Sequence, residues 1–244
     1  MRNRLALITG GTRGIGRATS LRLAQDGWDL VLGYARDEHA ATATKSAAEA
    51  LGVECSTVRA DLTTDAGIDE LFDAASSQMG RLDAVVNNVG ATLQISGLAE
   101  TPPQTIRRVI DLNLTSAILV ARRAVQQLGS GGVLVNVSSG AATTGAPGEY
   151  VHYAAAKAGV DALTKGLAIE VAPRGIRVVG VAPGTVDTQV HADAGDPGRP
   201  ERVARTHPMG RVGRPEEIAS VIAFALSADA GYVTGTTIRA AGGV

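Results

Sequence analysis

The chain has 244 residues, of which 45% are hydrophobic and 19% are charged, and 23 Lys and Arg against 24 Asp and Glu give a formal net charge of −1. This balance excludes a protein that binds nucleic acid through a clustered basic excess, and Cys55, as the only cysteine, excludes an intramolecular disulfide and a thiolate-rich metal site. No apolar run approaches the roughly 18 residues of a membrane span, so we expect a cytoplasmic protein with no membrane partner.

Short apolar runs alternate with segments of helical periodicity along the chain. The predicted strands are Leu5–Thr9, Asp29–Tyr34, Glu54–Ala60, Ala84–Asn87, Gly132–Ser138, Arg177–Ala182 and Thr236–Ala240. The predicted helices cover residues 14–26, 38–51, 65–79, 103–128, 150–172 and 215–227. This alternation predicts an α/β, doubly wound Rossmann fold, with a single seven-stranded parallel sheet and helices on both faces. We expect one domain over residues 1–244.

Local signals mark some of these boundaries. Thr101, followed by two prolines and Gln104, predicts a capping box with proline in the first helical turn. Pro215, followed by two glutamates, predicts another helix start with acids where the dipole favours them. Residues 187–214 have no clear periodicity, which is typical of a functional lid or a disordered loop, and we expect a substrate lid at about 188–209.

A glycine-rich segment follows the first predicted strand directly and opens the first helix. Gly10, Gly14 and Gly16 have the spacing Gly-x-x-x-Gly-x-Gly, not Gly-x-Gly-x-x-Gly. Such glycines allow a tight turn and a close approach of the backbone to a pyrophosphate at a positive helix end. A turn that only packs against the fold is the alternative. The position between a strand and a helix favours a dinucleotide site.

The second predicted strand indicates which dinucleotide is bound. An Asp or Glu about 20 residues past the glycines would bind the 2′-hydroxyl of NAD, but that position holds Arg36. Arg13 and Arg36 both stand where a helix begins, which costs a cation about 0.3–1 kcal/mol. A 2′-phosphate between them would offset this cost, so we expect NADP, with NAD less favoured. Two surface arginines are the alternative, and Asp37 either caps the next helix or binds a ribose hydroxyl.

Tyr153 and Lys157 are four residues apart and therefore lie on one face of a predicted helix. A free tyrosine titrates near pH 10, so acid–base chemistry near neutrality requires its pKa to fall by roughly 3 units. Because burial raises the pKa of a phenol, we expect the cation of Lys157, aided by an oxidised nicotinamide, to lower it.

Polar side chains stand at the ends of two central strands, where ligands bind in a parallel sheet. Ser138 and Ser139 should point to opposite faces, so only one can donate to a substrate oxygen, and the apolar pattern does not decide which. Asn88 and Gly90 follow the fourth strand at the same edge. Asn113 interrupts an apolar run, and an amide bonded to a helix carbonyl is the alternative to a functional role.

These motifs together resemble the classical short-chain dehydrogenase/reductase family over residues 9–243. The resemblance implies that Asp61 binds the adenine amine and that Val186 and Thr188 hold the nicotinamide carboxamide. The catalytic set that it implies is Asn113, Ser139, Tyr153 and Lys157. In that set Asn113 anchors a water beneath Lys157, and Lys157 also binds the nicotinamide ribose. The expected cofactor-binding residues are Gly10, Thr12, Arg13, Gly14, Ile15, Gly16, Arg36, Asp61, Leu62, Asn88, Gly90, Tyr153, Lys157, Pro183, Gly184, Val186 and Thr188.

Some positions depart from the family pattern. Val89 replaces the usual Ala, and Val179-Gly180 stands where Asn-Ala is frequent. Ser139 lies 14 residues before Tyr153, one more than in many relatives, which keeps Ser138 as an alternative.

The leading function is an NADP(H)-dependent oxidoreductase that moves a hydride between nicotinamide and a carbonyl or secondary alcohol of a small molecule. Residues 138–150 are similar to glucose 1-dehydrogenase-like and 3-oxoacyl-carrier-protein reductase-like members, so acyl-carrier reduction is an alternative, and a catalytically silent nucleotide-sensing module is another. The resemblance implies a homotetramer or homodimer, with the helices around 103–128 and 150–172 at an interface.

Histidines do not indicate a metal site. His39, His152, His191 and His207 are scattered and form no ligand pair at helical spacing. We expect His152 at the surface, and His191 either reaches the substrate or lies exposed in the lid.

Overall fold

The structure, a computed structural model, describes residues 3–79 and 81–244. Within these residues the strands form one sheet in the order β3-β2-β1-β4-β5-β6-β7, and every pairing is parallel. The strands are β1 Arg4–Ile8, β2 Trp28–Tyr34, β3 Cys55–Arg59, β4 Ala84–Asn87, β5 Val133–Val137, β6 Arg177–Pro183 and β7 Thr237–Ala240.

Helices cover both faces of this sheet. They are α1 Gly14–Gln25, α2 Glu38–Glu49, α3 Asp65–Met79, α4 Pro103–Ile110, α5 Ser116–Gln127, α6 Ala141–Thr144, α7 Val151–Val171, α8 Val190–Asp193, α9 Arg199–Ala204 and α10 Pro215–Leu226. Side chains alternate along each strand, so Ile8 of β1 packs in one core with α1 and α10, and Leu7 packs in the other with α3, α5 and α7. The predicted fold class, a doubly wound parallel sheet, is confirmed.

The helix predicted over 103–128 is interrupted. A π-helical turn, Asp111–Thr115, separates α4 from α5 and contains Asn113, which is completely buried. A π turn holds one more residue than an α-helical turn, so it changes which side chains point inward. A search for a 3.6-residue period cannot detect such a turn, which is why the sequence predicted one continuous helix.

The start of α4 also differs from the prediction. Its N-cap is Pro102, which makes no side-chain hydrogen bond to the helix, while the Thr101 hydroxyl donates to the Gly97 carbonyl at 2.9 Å. The predicted capping box is therefore wrong, although Pro103 does occupy the first turn.

Two other helix starts are as predicted. The Asp37 carboxylate accepts a hydrogen bond from the Ala40 N–H at 2.9 Å and so caps α2. Pro215 begins α10, and Glu217 in its first turn accepts the Arg214 N–H at 2.8 Å. The aperiodic stretch 187–214 contains the short helices α8 and α9.

The strand order places a crevice at the carboxyl edge of the sheet. β1 lies between β2 and β4, so the connections from β1 and β4 leave in opposite directions and cannot fill the space between them. A cavity of about 1200 Å³ lies along this edge, lined by the segments that follow β1, β2, β4, β5 and β6. None of the described helices is long and apolar enough to cross a membrane.

Candidate active site

The start of α1 contributes to the wall of the cavity. A Cβ on Gly16 would lie 2.0 Å from the Gly10 carbonyl oxygen, so only glycine permits this close backbone approach. The N-cap Arg13 makes no side-chain hydrogen bond to α1, and the first turn of the helix has no acidic residue. Residues 13–16 line the cavity. The positive helix end therefore meets no capping carboxylate of its own, which fits the pyrophosphate of a dinucleotide.

Arg13 and Arg36 both line the cavity, and both are exposed. The Arg13 Nη2 is 3.5 Å from Asp193 Oδ2 of α8. Hydrogen bonds from Thr63, first from its side chain and then from its backbone, hold the pKa of Asp61 below its usual range, and the charge of Arg36 adds to this effect. The predicted adenosine-binding residues Asp61 and Arg36 are therefore neighbours.

Sequence reasoning missed a third arginine in this region. Arg59 ends β3, pairs in register with Tyr34 of β2 and lines the cavity. Its Nε donates to the Ala35 carbonyl at 3.3 Å. Its position gives a signal that would have found it. Arg59 stands at the carboxyl end of β3, the strand next to β2, and the segment that carries Arg36 begins one residue after its register partner Tyr34.

Two predicted cofactor-binding residues do not line the cavity. Thr12 is buried, and its carbonyl accepts a hydrogen bond from the Thr44 hydroxyl at 3.2 Å. Leu62 packs in the hydrophobic core. The structure brings the others together around the cavity: Gly10, Arg13, Gly14, Ile15, Gly16, Arg36, Asp61, Asn88, Gly90, Tyr153, Lys157, Pro183, Gly184, Val186 and Thr188.

α7 carries Tyr153 and Lys157, and both residues line the cavity. Lys157 is 3% exposed, and its Nζ donates to the Val137 carbonyl at 2.9 Å and lies 5.8 Å from the centroid of the Tyr153 ring. Burial lowers the pKa of Lys157 to about 8, and the negative charge of Asp161 opposes this fall. The ammonium group therefore loses its proton far more easily than an exposed lysine does.

Burial raises the pKa of Tyr153, as expected for a phenol. The groups that oppose this rise are Ser139, through a side-chain hydrogen bond, and Arg199, through its positive charge. Lys157, the cation expected in this role, is not among them. Its Nζ is instead directed to a backbone carbonyl of β5.

The two serines have different surroundings, as the alternation predicts. The Ser138 hydroxyl is buried and donates to the Lys157 carbonyl at 3.3 Å. Ser139 is half-buried, and its hydroxyl accepts the Ala141 N–H at 3.1 Å and also interacts with Tyr153. Of the two, Ser139 is the one that contacts the phenol.

Asn113 lies behind the cavity wall. Its Nδ2 donates to the carbonyls of Val109 at 2.9 Å and Ala91 at 2.8 Å, and its Oδ1 accepts the Ala91 N–H at 3.1 Å. A Cβ on Gly90 would lie 2.6 Å from Asn113 Oδ1 and 2.9 Å from Lys157 Nζ. Asn113 therefore bonds a helix carbonyl and also lies close to Lys157, and only glycine fits between them.

The expectation that His152 lies at the surface is wrong. It is 4% exposed, and neither ring nitrogen has a hydrogen-bond partner among the described residues. Burial lowers its pKa, which favours the neutral imidazole. His191 lines the cavity with its Nε2 2.9 Å from the Val186 carbonyl oxygen. Across residues 3–79 and 81–244, no cluster of His, Cys, Asp and Glu is arranged to hold a metal ion.

Sequence reasoning also missed a cluster between the lid and the loop before α7. Arg199 of α9 binds Glu149 and Tyr150, and all three line the cavity. Nothing in the sequence pairs these positions, because 50 residues separate Arg199 from Glu149 and the lid has no periodicity that would orient Arg199 inward.

Comparisons with known proteins identify the family of the chain. A family model described as enoyl-(acyl carrier protein) reductase matches residues 10–244. The uncharacterized oxidoreductase YgfF of Escherichia coli K12 is 43% identical over 244 residues, which cover 98% of this chain and 99% of that protein. A 3-oxoacyl-[acyl-carrier-protein] reductase of Synechocystis sp. is 38% identical, with 98% of this chain and 96% of that protein covered.

Solved structures give the same result. A short-chain dehydrogenase of Burkholderia cenocepacia, in complex with NADP, has a TM-score of 0.92 and 31% identity, and the alignment covers 99% of this chain and 98% of that one. Sequence and fold thus agree over nearly the whole chain. The chain belongs to the classical short-chain dehydrogenase/reductase family, whose members are oxidoreductases that use a nicotinamide cofactor.

Proposed function

We propose that the protein is an NADP(H)-dependent oxidoreductase that interconverts a carbonyl group and a secondary alcohol of a small molecule. One observation supports it above the others. Ser139, Tyr153 and Lys157 line the same cavity as the glycine-rich start of α1, so acid–base groups and a dinucleotide site share one crevice. The relative solved with NADP supports the choice of cofactor.

Each member of the catalytic set has a distinct role in this proposal. Ser139 donates from its hydroxyl to the substrate oxygen, and the Tyr153 hydroxyl gives that oxygen its proton or takes it away. Lys157 binds the nicotinamide ribose through Nζ, and Asn113 holds a water beneath Lys157 through which the proton reaches solvent. Bound NADP(H) supplies or accepts the hydride.

Turnover separates this proposal from a silent nucleotide sensor. NADPH oxidation is followed with a panel of aldehydes and ketones between pH 6 and 9. We expect Tyr153→Phe to lower kcat by about 10²–10⁴-fold while NADPH binding, followed by fluorescence, is retained. Tyr232→Phe, at a fully exposed tyrosine, is the matched control. Tight NADPH binding by the wild type without turnover of any substrate would favour the sensor.

Cofactor preference depends on Arg13, Arg36 and Arg59 at the adenosine end. We expect a higher kcat/KM with NADPH than with NADH, and Arg36→Asp reverses or removes this preference because it replaces a phosphate-binding cation by an anion. Arg17→Asp, on the exposed part of α1 and outside the cavity lining, is the control. A wild type that already prefers NADH contradicts the proposal.

The serines are tested as a pair. Ser139→Ala is expected to lower kcat strongly without change in folding, because Ser139 contacts Tyr153. Ser138→Ala removes a hydrogen bond to the Lys157 carbonyl, so its main effect is on stability. Loss of activity in Ser138→Ala alone would transfer the substrate-binding role to Ser138.

Reduction of a 3-oxoacyl group on a carrier protein is the second candidate. Arg107 and Arg108 are exposed in the last turn of α4, and Arg108 lines the cavity. Positive charge therefore stands where the cavity meets the protein surface. The acyl-carrier-protein reductase among the relatives supports this reading. A carrier-linked 3-oxoacyl substrate is compared with a short thioester analogue. Arg107→Glu should raise KM for the carrier-linked substrate alone.

We also propose one domain over residues 1–244 with a lid at 188–209, and assembly as a homotetramer or homodimer. Ile118 of α5 is 43% exposed and Ile169 of α7 is 70% exposed, which supports an interface on these helices. Light scattering after size-exclusion chromatography measures the assembly. We expect Ile169→Glu to reduce it, and a monomeric wild type would contradict the proposal.

A further inference from the structure

Arg199 belongs to the lid, yet its side chain is only 7% exposed. Its Nη2 donates to Glu149 Oε2 at 2.7 Å and to the Tyr150 hydroxyl at 2.6 Å, and its Nη1 donates to the Thr185 hydroxyl at 3.0 Å. Arg202 and Arg205, the other arginines of the lid, are exposed. Arg199 therefore ties α9 to the loop that leads into α7, the helix of Tyr153.

This burial is not explained by stability. A buried ion pair is often no more stable than apolar residues of similar size, because desolvation of the charges offsets their attraction. The Arg199 Nε is also buried and has no hydrogen-bond partner in the described part of the chain. A lid that only excludes water could be held by apolar contacts at lower cost.

The contacts of Arg199 continue to Tyr153. The Tyr150 ring lies edge-on to the Tyr153 ring, with centroids 5.5 Å apart and an interplanar angle of 88°. The Arg199 Cζ is 5.4 Å from the Tyr150 centroid, so the guanidinium contacts the ring as well as the hydroxyl. Arg199 thus holds the side chain against which Tyr153 packs.

We propose that Arg199 is a positioning residue for the proposed reaction: by binding Glu149 and Tyr150 it closes the lid, fixes Tyr150 against Tyr153 and brings a permanent positive charge towards the phenol. The inference rests on the proposed function, because it acts through the proton transfer assigned to Tyr153. Arg199 thereby couples closure of the lid to ionisation of Tyr153. When the lid opens, the cation leaves and the buried phenol keeps its proton.

The charged and titratable groups around Tyr153 come from three elements. Lys157 lies over the ring from α7 itself, Tyr150 and Glu149 come from the loop before α7, and Arg199 comes from the lid. Glu149 offsets the charge of Arg199, with its carboxylate only partly exposed. Removal of Arg199 and removal of the Glu149 charge should therefore change the ionisation of Tyr153 in opposite directions.

The test is the pH profile of kcat for alcohol oxidation, since this direction needs the phenolate. In Arg199→Met we expect the ascending limb to move to higher pH by about one pH unit, with kcat at pH 7 falling about tenfold. In Glu149→Gln, which keeps the hydrogen-bond acceptor, the limb moves to lower pH. A purely structural contact would be weakened by both substitutions, so limbs that move in the same direction, or not at all, overturn the proposal.

A second measurement needs no turnover. Hydrogen exchange of the cofactor-free protein, followed by mass spectrometry, should show faster exchange over residues 188–204 and 149–153 in Arg199→Met. Arg199→Lys keeps the charge without the forked geometry, so it should restore most of the pH profile but less of the protection. Unchanged exchange in Arg199→Met overturns the lid contact. A wild type without turnover overturns the proposed function instead.

Arg205→Met is the matched control. Arg205 follows α9 directly and is exposed, so its loss removes one lid cation without touching the cavity. We expect wild-type exchange and a wild-type pH profile. Equal effects of Arg205→Met and Arg199→Met would show that lid charge in general is responsible and would overturn the role of Arg199. Arg199→Lys keeps the test decisive where Arg199→Met fails to fold.

Discussion

Lys157 is a buried cation, and replacing it by an apolar residue should make the cofactor-free protein more stable. Burial lowers the pKa of Lys157 from 10.5 to about 8. Each pKa unit corresponds to about 1.4 kcal/mol, so protonated Lys157 costs the folded state about 3 kcal/mol at pH 7. Lys157→Met removes this cost, but it also removes the bond from Nζ to the Val137 carbonyl, about 1 kcal/mol. The net expectation is about 2 kcal/mol of added stability at pH 7.

The pH dependence of this difference identifies its cause. Between about pH 8 and 10.5 the unfolded chain binds more protons than the folded one, so the stability of the wild type rises with pH in this window. The Met variant has no such rise. Its advantage should therefore shrink by about 2 kcal/mol between pH 7 and 10 and nearly vanish.

Urea unfolding followed by circular dichroism, at several pH values and one protein concentration, measures this difference. Lys165→Met removes an exposed lysine from the same helix and controls for the loss of a charge. A Met variant that is less stable than the wild type at pH 7, or an advantage that does not change with pH, would refute the reasoning. Turnover should be lost in Lys157→Met despite the gain in stability.

Other substitutions test the close approaches and the buried polar groups. Gly16→Ala should abolish dinucleotide binding and destabilise the fold, because the new Cβ would lie 2.0 Å from the Gly10 carbonyl oxygen. Gly166→Ala, at an exposed site on α7 with open space around it, should instead stabilise the fold by about 0.5–1 kcal/mol. NADPH titration measures the binding of each variant, and thermal unfolding measures its stability. Asn136→Ala should cost about 2–4 kcal/mol in urea unfolding, because Asn136 links Asn87 and Thr164 through bonds of 3.0 Å in the interior, and a loss below about 1 kcal/mol would contradict this. Burial raises the pKa of Cys55 to about 12, so iodoacetamide at pH 8 should alkylate it only after unfolding, and rapid labelling of the folded protein would refute this.

Much of the fold follows from local rules. Parallel strands covered on both faces are continuous apolar runs, so β5, in which all five residues are buried, stands out from the sequence. Features that break a regular period do not stand out. The π-helical turn at Asn113 and the short helices of the lid fall in this class, and Thr101 failed as a cap because its hydroxyl binds Gly97 instead.

The residues of the site also fall into those that the sequence predicts and those that it does not. Gly10, Gly16 and Gly90 are predictable because backbone approach restricts each position to one residue type, and Tyr153 and Lys157 because one helix spaces them. Arg59 and Arg199 reach the cavity from other elements, and no spacing in the chain connects them to the residues that they meet. Long-range partners of this kind depend on how the elements pack, which a single sequence does not encode in a readable pattern.

Lys157 and Arg199, the two cations near Tyr153, differ in their electrostatic role. A lysine with a pKa of about 8 changes charge close to neutrality, so the protonation of Lys157 responds to whatever binds beside it. An arginine keeps its charge at every pH at which proteins remain folded. The constant positive charge near Tyr153 therefore comes from the lid, whereas Lys157, on the same helix as Tyr153, has a charge that varies with pH and is not among the groups that lower the pKa of the phenol. Because Arg199 acts on Tyr153 only while the lid is closed, the phenol ionises most readily when substrate is already enclosed, which restricts proton transfer to the productive complex.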